Sequence, residues 1–424
     1  MKIGFLGGGQ VGQALWEVIQ KENENILNLI GEPLEVKKIL VRDLNKNRLI
    51  PKYYLTDNPD EILYDPEIKL VVEVMGGVEP ASLYIQKALE NKKFVVTANK
   101  EVIATNGDKL FNLARKMGVD LGFEASVGGG IPLIKAIKEG LVVDKIKEIW
   151  SILNGTTNYI LTQMEESHKD FSSILKEAQE KGYAEPDPYK DISGLDSTYK
   201  LAILSSLAFH TNVKPENIFR EGIENISIRD IEYAKSLGYT IKLLAIAKED
   251  NGSLEVRVHP TMISQNNLLS SVRGVNNAVL FKEERRGDII LYGPGAGPKP
   301  TAMALLSDII ELSYSIIHSS PRYYNFAYLY PPKIKPWEEI KTRYYMRFWA
   351  KDKPGVLAQI AKILGDNHIS IASVIQKETN LEFEKAEIVI LTHITCERNM
   401  QKAIEEIKTL PIIEEWSSLI RIEV

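Results

Sequence analysis

The residues of this chain best suited to moving a proton are a lysine and an aspartate four positions apart, preceded by further carboxylates. They stand in Gly182-Tyr183-Ala184-Glu185-Pro186-Asp187-Pro188-Tyr189-Lys190-Asp191-Ile192-Ser193-Gly194-Leu195-Asp196-Ser197-Thr198-Tyr199-Lys200. The apolar run Leu201 to Leu204 follows, so the spacing predicts a helix from about Leu195 that puts Asp196 and Lys200 on one face and heads into a core. An earlier helix over Phe171 to Lys181 should stop at Gly182, and two prolines stiffen the acidic loop between them. An amine held beside carboxylates can be tuned as a general acid or base, and a carboxylate can anchor it or take a substrate ammonium. Spacing alone favours a blander account, an exposed i, i+4 ion pair.

Two other stretches shift that balance. Thr97-Ala98-Asn99-Lys100 closes an apolar strand and puts a second lysine at a strand's carboxyl end, where ligands of parallel sheets lie. Glu124-Ala125-Ser126-Val127-Gly128-Gly129-Gly130-Ile131-Pro132 ends the next strand with three glycines, exposing carbonyls beside one carboxylate. A hard cation fits such a loop, and so does a simple hinge.

Gly7-Gly8-Gly9-Gln10-Val11-Gly12 matches G-x-G-x-x-G between a strand and a helical pattern, the arrangement that receives a dinucleotide pyrophosphate. Gly7 permits the turn, Gly9 the approach of the anion, and Gly12 close helix packing. The second strand ends in Val41-Arg42-Asp43, 31 residues after Gly12 where the fingerprint expects ~20, so the first helix and its loop are longer than usual. Arg42, with Lys46 and Arg48 behind it, favours NADP over NAD; a solvated basic loop is the competing account.

These groups need elements to position them. Strands at Ile3–Leu6, Val36–Val41, Leu70–Val74, Phe94–Thr97 and Val119–Phe123 alternate with amphipathic helices, which predicts an α/β domain with a parallel sheet over residues 1–130. Residues 131–292 read as α+β, with strands at Ile146–Ile152, Thr240–Ala247 and Leu254–Val258. Prolines among aromatics suggest a linker over 321–343. Residues 344–424 order as strand, helix, strand, strand, helix, strand.

The whole chain has 424 residues, 44% of them hydrophobic, enough for two to four domains at ~100 to 200 residues each. Its 52 Lys+Arg against 57 Asp+Glu give no electrostatic reason to expect nucleic acid. The single cysteine, Cys396, excludes an internal disulfide and a multi-cysteine zinc site and fits a reducing compartment, with cytoplasm the expectation. Met1 runs straight into a strand, so no signal peptide is expected, and no membrane span. The six histidines show no metal-ligand spacing.

Taken together, these residues resemble the homoserine dehydrogenase family in its form with a C-terminal ACT domain. The resemblance rests on Asn154-Gly155-Thr156-Thr157-Asn158-Tyr159-Ile160-Leu161, on Glu185-Pro186-Asp187-Pro188 through Asp196 to Lys200, and on Gly293-x-Gly295-Ala296-Gly297 with Pro300-Thr301-Ala302. It implies a Rossmann-type dinucleotide-binding domain over 1–130, rejoined by 293–320, then a catalytic and dimerisation domain over 131–292. The implied reaction is the NAD(P)-dependent interconversion of L-homoserine and L-aspartate 4-semialdehyde, on the way to threonine, methionine and isoleucine. Lys200 would exchange the proton at the carbonyl oxygen, with Lys100 a second ammonium nearby. Glu185 and Asp196 would bind homoserine, and Asp191 would support them. Cofactor contacts are implied at Gly7, Gly9, Gln10, Val11, Gly12, Arg42, Thr97, Lys100, Gly182, Glu185 and Gly295. Glu124 with the carbonyls of Val127, Gly129 and Ile131 would hold a monovalent cation, usually sodium.

Asp352-Lys353-Pro354-Gly355-Val356-Leu357 and the strand Ile369-Ser370-Ile371 resemble an ACT module, which implies an amino-acid effector, threonine first, and a homodimer or higher homo-oligomer. A domain that only aids oligomerisation is the plainer alternative. Two other functions compete: a different amino-acid or semialdehyde dehydrogenase, and a non-catalytic nucleotide and amino-acid sensor. The sensor would have no use for Glu185, Asp196 and Lys200 together.

Overall fold

The structure is a computed structural model that describes residues 1–319, 330, 331, 333–380 and 385–423. Two compact units interleave along the chain: one from Met1–Ile149, Thr198–Ile218 and Asn276–Pro332, the other from Trp150–Ser197, Phe219–Val275 and Lys333–Val424.

The first unit is built on a six-stranded sheet. Its strands are β1 (Lys2–Leu6), β2 (Glu35–Leu40), β3 (Leu55–Thr56), β4 (Ile68–Glu73), β5 (Phe94–Thr97) and β6 (Leu121–Gly122), in the order β3-β2-β1-β4-β5-β6. Every pairing is parallel. Strands buried on both faces must be apolar throughout, as Leu70, Val71 and Val72 are. This is the doubly wound α/β fold expected, and its order reverses between β1 and β4, which opens a crevice at their carboxyl ends. The helix Asn23–Ile30, closed by Gly31 in the left-handed region (φ 84), sits between the first helix and β2 and accounts for the long spacing to Asp43. Helix Pro298–Ile317 returns to this core through Ala302, Leu305, Ile309 and Leu312. It is long and apolar enough to cross a membrane by length and composition, and those four residues instead pack with Phe5, Leu15, Leu70 and Val96.

In the second unit, strands Tyr239–Asp250 and Ser253–Ser264 pair antiparallel, the latter more than twice as long as the expected Leu254–Val258. Pro260 suggests an end there, since proline cannot donate to a ladder. The strand runs through it because parallel pairing with Ile413–Glu423 begins one residue later, at Thr261↔Arg421. The sheet continues through Lys341–Lys351, Lys385–Thr392 and Ile371–Asn380, all antiparallel, with helices Val356–Asp366 and Glu397–Lys408 packed on it. The C-terminal strand–helix order matches the sequence pattern. Residues 321–329 and 332 of the expected linker at 321–343 lie outside the described residues; in the remainder, the backbone of Lys333 and Lys335 bonds Leu254 on the neighbouring strand.

Buried ion pairs tie residues 219–264 to the C-terminal strands. Arg347 reaches Asp230 (2.8 Å) and Glu387 (2.9 Å), and Arg421 reaches Glu397 and Glu221 (both 2.8 Å). Removing one partner of such a pair costs about 3–5 kcal/mol, because the other is left charged and dry.

Lys242, 1% exposed, donates to Asn158 Oδ1 (3.1 Å) and the Val272 carbonyl (2.5 Å). Burial, then Arg273, lowers its pKa to about 8 from 10.5. An unfolded chain therefore binds the extra proton between those values, so this lysine's contribution to stability rises with pH across that window and is lost as pH falls through 8. We expect the melting temperature of the parent to gain on that of Lys242→Met from pH 8 to 10, read by thermal melts at each pH.

Candidate active site

The glycine turn follows β1 as a steric necessity. Gly7 has φ +121, and a Cβ there would lie 2.8 Å from the Val74 carbonyl oxygen; at Gly12 it would lie 2.4 Å from the Gly7 carbonyl oxygen. At Gly9 it would meet nothing within 4 Å, which leaves the side that a pyrophosphate must approach open. Helix Gln10–Lys21 starts at Gly9 with no side-chain cap, so the N–H groups of Gln10 and Val11 are available to an anion. A dinucleotide fits this cradle. Arg48 is built into it, donating to the carbonyls of Gly8 (3.2 Å), Asp43 (2.7 Å) and Lys46 (3.0 Å), whereas Arg42 and Lys46 are exposed.

A cavity of about 360 Å³ opens at the switch point and is lined by Val11, Met75, Lys100, Gly129, Lys200 and Gly295 among others. Both lysines singled out by sequence thus face one pocket. Lys200, 7% exposed, comes from helix Leu195–Ala208, which also carries Asp196, 4% exposed. The exposed ion pair that spacing favours is excluded. The Thr97 hydroxyl is engaged within the sheet, donating to Glu73 (2.6 Å) and accepting from the Asn99 N–H (2.9 Å). Glu73 also takes the Met75 N–H (2.7 Å), and Asn99 donates to the Gly77 carbonyl (2.7 Å) while capping the helix at Lys100. Burial raises the Glu73 pKa. This buried acid shapes the pocket floor, and its signal was an acid closing an otherwise apolar run.

In the glycine loop after β6, the Glu124 carboxylate accepts the N–H groups of Ile134 (2.9 Å) and Lys135 (2.8 Å), one at each oxygen, which anchors the following helix and leaves each oxygen a further lone pair. Gly128 and Gly129 have positive φ, and Ile131's carbonyl already accepts the Leu133 N–H. No group of three or more His, Cys, Asp or Glu able to hold a metal occurs among the described residues. The donors available are the Glu124 carboxylate and main-chain carbonyls, whose chemistry suits a weakly held monovalent ion.

In the second unit, Asp191 and Asp196 converge on Asn154, whose Nδ2 lies 2.7 Å from Asp191 Oδ1 and 2.9 Å from Asp196 Oδ2. Arg220 donates to the Ser193 hydroxyl between them (2.9 Å). Gly182 ends helix Phe171–Glu180 with φ +74, and the Tyr183 carbonyl accepts the Thr156 hydroxyl (2.7 Å). Glu185 is exposed, and the structure does not bring it to the Asn154 cluster. No local sequence signal marks Asn154 for this part, since its two partners lie 37 and 42 residues further on.

Fold and pocket define the class: a dinucleotide-dependent enzyme of the doubly wound α/β type. Family profiles described as "Homoserine dehydrogenase, NAD binding domain", "Homoserine dehydrogenase" and "ACT domain" match residues 7–124, 132–310 and 344–412. The homoserine dehydrogenase of Neisseria gonorrhoeae is 41% identical, covering 100% of this chain and 98% of its own. The crystal structure of a homoserine dehydrogenase from Thiobacillus denitrificans superposes with a TM-score of 0.93 at 40% identity, over 100% of this chain and 98% of that one. A hyperthermophilic archaeal homoserine dehydrogenase in complex with NADPH gives a TM-score of 0.63 at 31% identity, over 74% of this chain and 97% of its own. The chain belongs to the homoserine dehydrogenase family, whose members are NAD(P)-dependent oxidoreductases.

Gly12 gives a direct test of the cradle. Gly12→Ala drives a methyl group into the Gly7 carbonyl, and we expect NADPH affinity, read by fluorescence titration, to fall at least ~30-fold, the equivalent of about 2 kcal/mol.

Proposed function

We propose that this chain interconverts L-homoserine and L-aspartate 4-semialdehyde. The observation that carries the reading is Lys200, buried yet facing the same pocket as Lys100 and the helix start at Val11. A bound nicotinamide supplies the hydride in the reducing direction and takes it in the oxidising one. Lys200 stabilises the charge that grows on the carbonyl oxygen and delivers its proton; to accept that proton back from homoserine it must be neutral. Lys100 adds a second ammonium. Asp196 and Asp191 take the substrate ammonium, with Glu185 closing on it from the acidic loop and Gly182 beside the nicotinamide. Arg42 and Lys46, exposed next to the cradle, support NADP over NAD. Glu124 with the carbonyls of Val127, Gly129 and Ile131 would hold sodium. The domain division at about 130, 292 and 344, a homodimer and a cytoplasmic enzyme complete the proposal.

The test follows NADPH absorbance with aspartate semialdehyde, and the reverse reaction with homoserine and NADP or NAD. We expect oxidation of homoserine to quicken with rising pH, and Lys200→Ala to lower kcat by ~100-fold or more while the KM for cofactor changes little. Turnover with another semialdehyde in preference would favour a sister dehydrogenase of the same architecture.

We also propose L-threonine as effector at the turn Asp352 to Leu357, where Gly355 (φ +87) starts a helix. Support comes from contiguous contacts within the second unit: Arg421 to Glu221 (2.8 Å), Arg220 to Ser193, and the Ile223 N–H to the Ile192 carbonyl (2.9 Å), between Asp191 and Asp196. Inhibition needs different affinities for two states. We expect millimolar threonine to give calorimetric heat and inhibition together; silence in both defeats the proposal and leaves oligomerisation as the domain's role.

A further inference from the structure

Asn154 follows the strand Ile146–Ile152 and caps helix Gly155–Ser167, its Oδ1 accepting the Thr157 N–H at 2.8 Å. A side-chain amide has two N–H donors and one carbonyl. Here the carbonyl faces the helix start, and the Nδ2 group meets Asp191 and Asp196, one bond to each. The amide's orientation follows from its partners, because a flip would set its oxygen against two carboxylates and its NH2 against a backbone N–H. Asn154 is 5% exposed, so this geometry is held by packing.

Two carboxylates that share one nitrogen cannot be farther apart than the sum of their two bonds to it, and at that spacing they repel. The shared amide offsets the repulsion while adding no positive charge of its own, as a lysine would. From this we infer that Asn154 is a positioning residue, one that sets Asp191 and Asp196 side by side so that together they receive the substrate's ammonium group. The inference rests on the reading that these aspartates bind homoserine.

Asn154→Asp separates this role from capping. Aspartate caps a helix as well as asparagine does, yet it turns the shared donor into a third carboxylate. The KM for homoserine rises tenfold or more, and the acid limb of the kcat/KM profile for homoserine moves up by ~1 pH unit, because the crowded carboxylates hold their protons to higher pH. The KM for NADP stays within twofold. Should that variant not fold, Asn154→Ser keeps a capping hydroxyl, loses the reach to both carboxylates, and raises the homoserine KM in the same direction. A parent that turns over no homoserine overturns the reading of function and this inference with it. An active parent whose folded variant keeps the homoserine KM and pH profile within twofold, or loses NADP binding to the same degree as homoserine binding, overturns this inference alone.

Discussion

Burying an ammonium group is the constraint around which the nucleotide pocket is organised. Lys200 keeps only 7% of its surface, and a charge taken from water costs several kcal/mol unless neighbours compensate it. Such a group cannot be left to wander. Helix Leu195–Ala208 fixes it: Leu201, Ala202 and Leu204 are wholly buried one to four residues on, so the backbone beneath the lysine cannot slide without exposing them. The parallel sheet supplies the other half, since its order reverses where β1 and β4 end, and there the chain places a glycine turn on one side and the loop Met75–Gly77 on the other. The lysine thus follows from the packing of a helix interior, and the anion-binding turn from how a strand ends and a helix begins.

Much of this is legible in sequence because it is local. The glycine turn, the helix start at Leu195 and the strand–helix order of the tail all follow from periodicity and from glycine or proline at element ends. Depth of burial is not local. The i, i+4 spacing of Asp196 and Lys200 describes a surface pair and a core pair equally, and only the packed helix decides between them. Glu124 shows the same limit from the other side. Sequence sets this carboxylate beside a glycine loop, but does not show that it takes the N–H groups of Ile134 and Lys135, ten and eleven residues on.

The amide of Asn154 belongs to this second class of information. Its run can be quoted from sequence, yet its partners lie 37 and 42 residues away and meet it only when the strand Ile146–Ile152 delivers it beneath the acidic loop. A neutral donor is the apt chemistry for that position. The amide fixes the geometry of the two carboxylates while adding no charge of its own.

The C-terminal module raises a different question, since a regulatory domain must be attached firmly enough to transmit and loosely enough to move. Here the attachment is firm. Strand Ile413–Glu423 extends the sheet of Ser253–Ser264, and Arg347, Arg421 and Arg257 bury their guanidinium groups among Asp230, Glu387, Glu397, Glu221, Glu255 and Glu423. Such pairs add little net stability over apolar packing, but they fix register, because sliding the strands would strand several buried charges at once. Under the proposed regulation, an effector at the Asp352 to Leu357 turn would act on the sheet as a body and not on one loose strand. Phe219 and Arg220 pair with Ser253–Ser264 as a short strand of that sheet, and the segment they open bonds the loop between Asp191 and Asp196 through Arg220 and Ile223, so the sheet and the carboxylates are joined by a contiguous run of contacts.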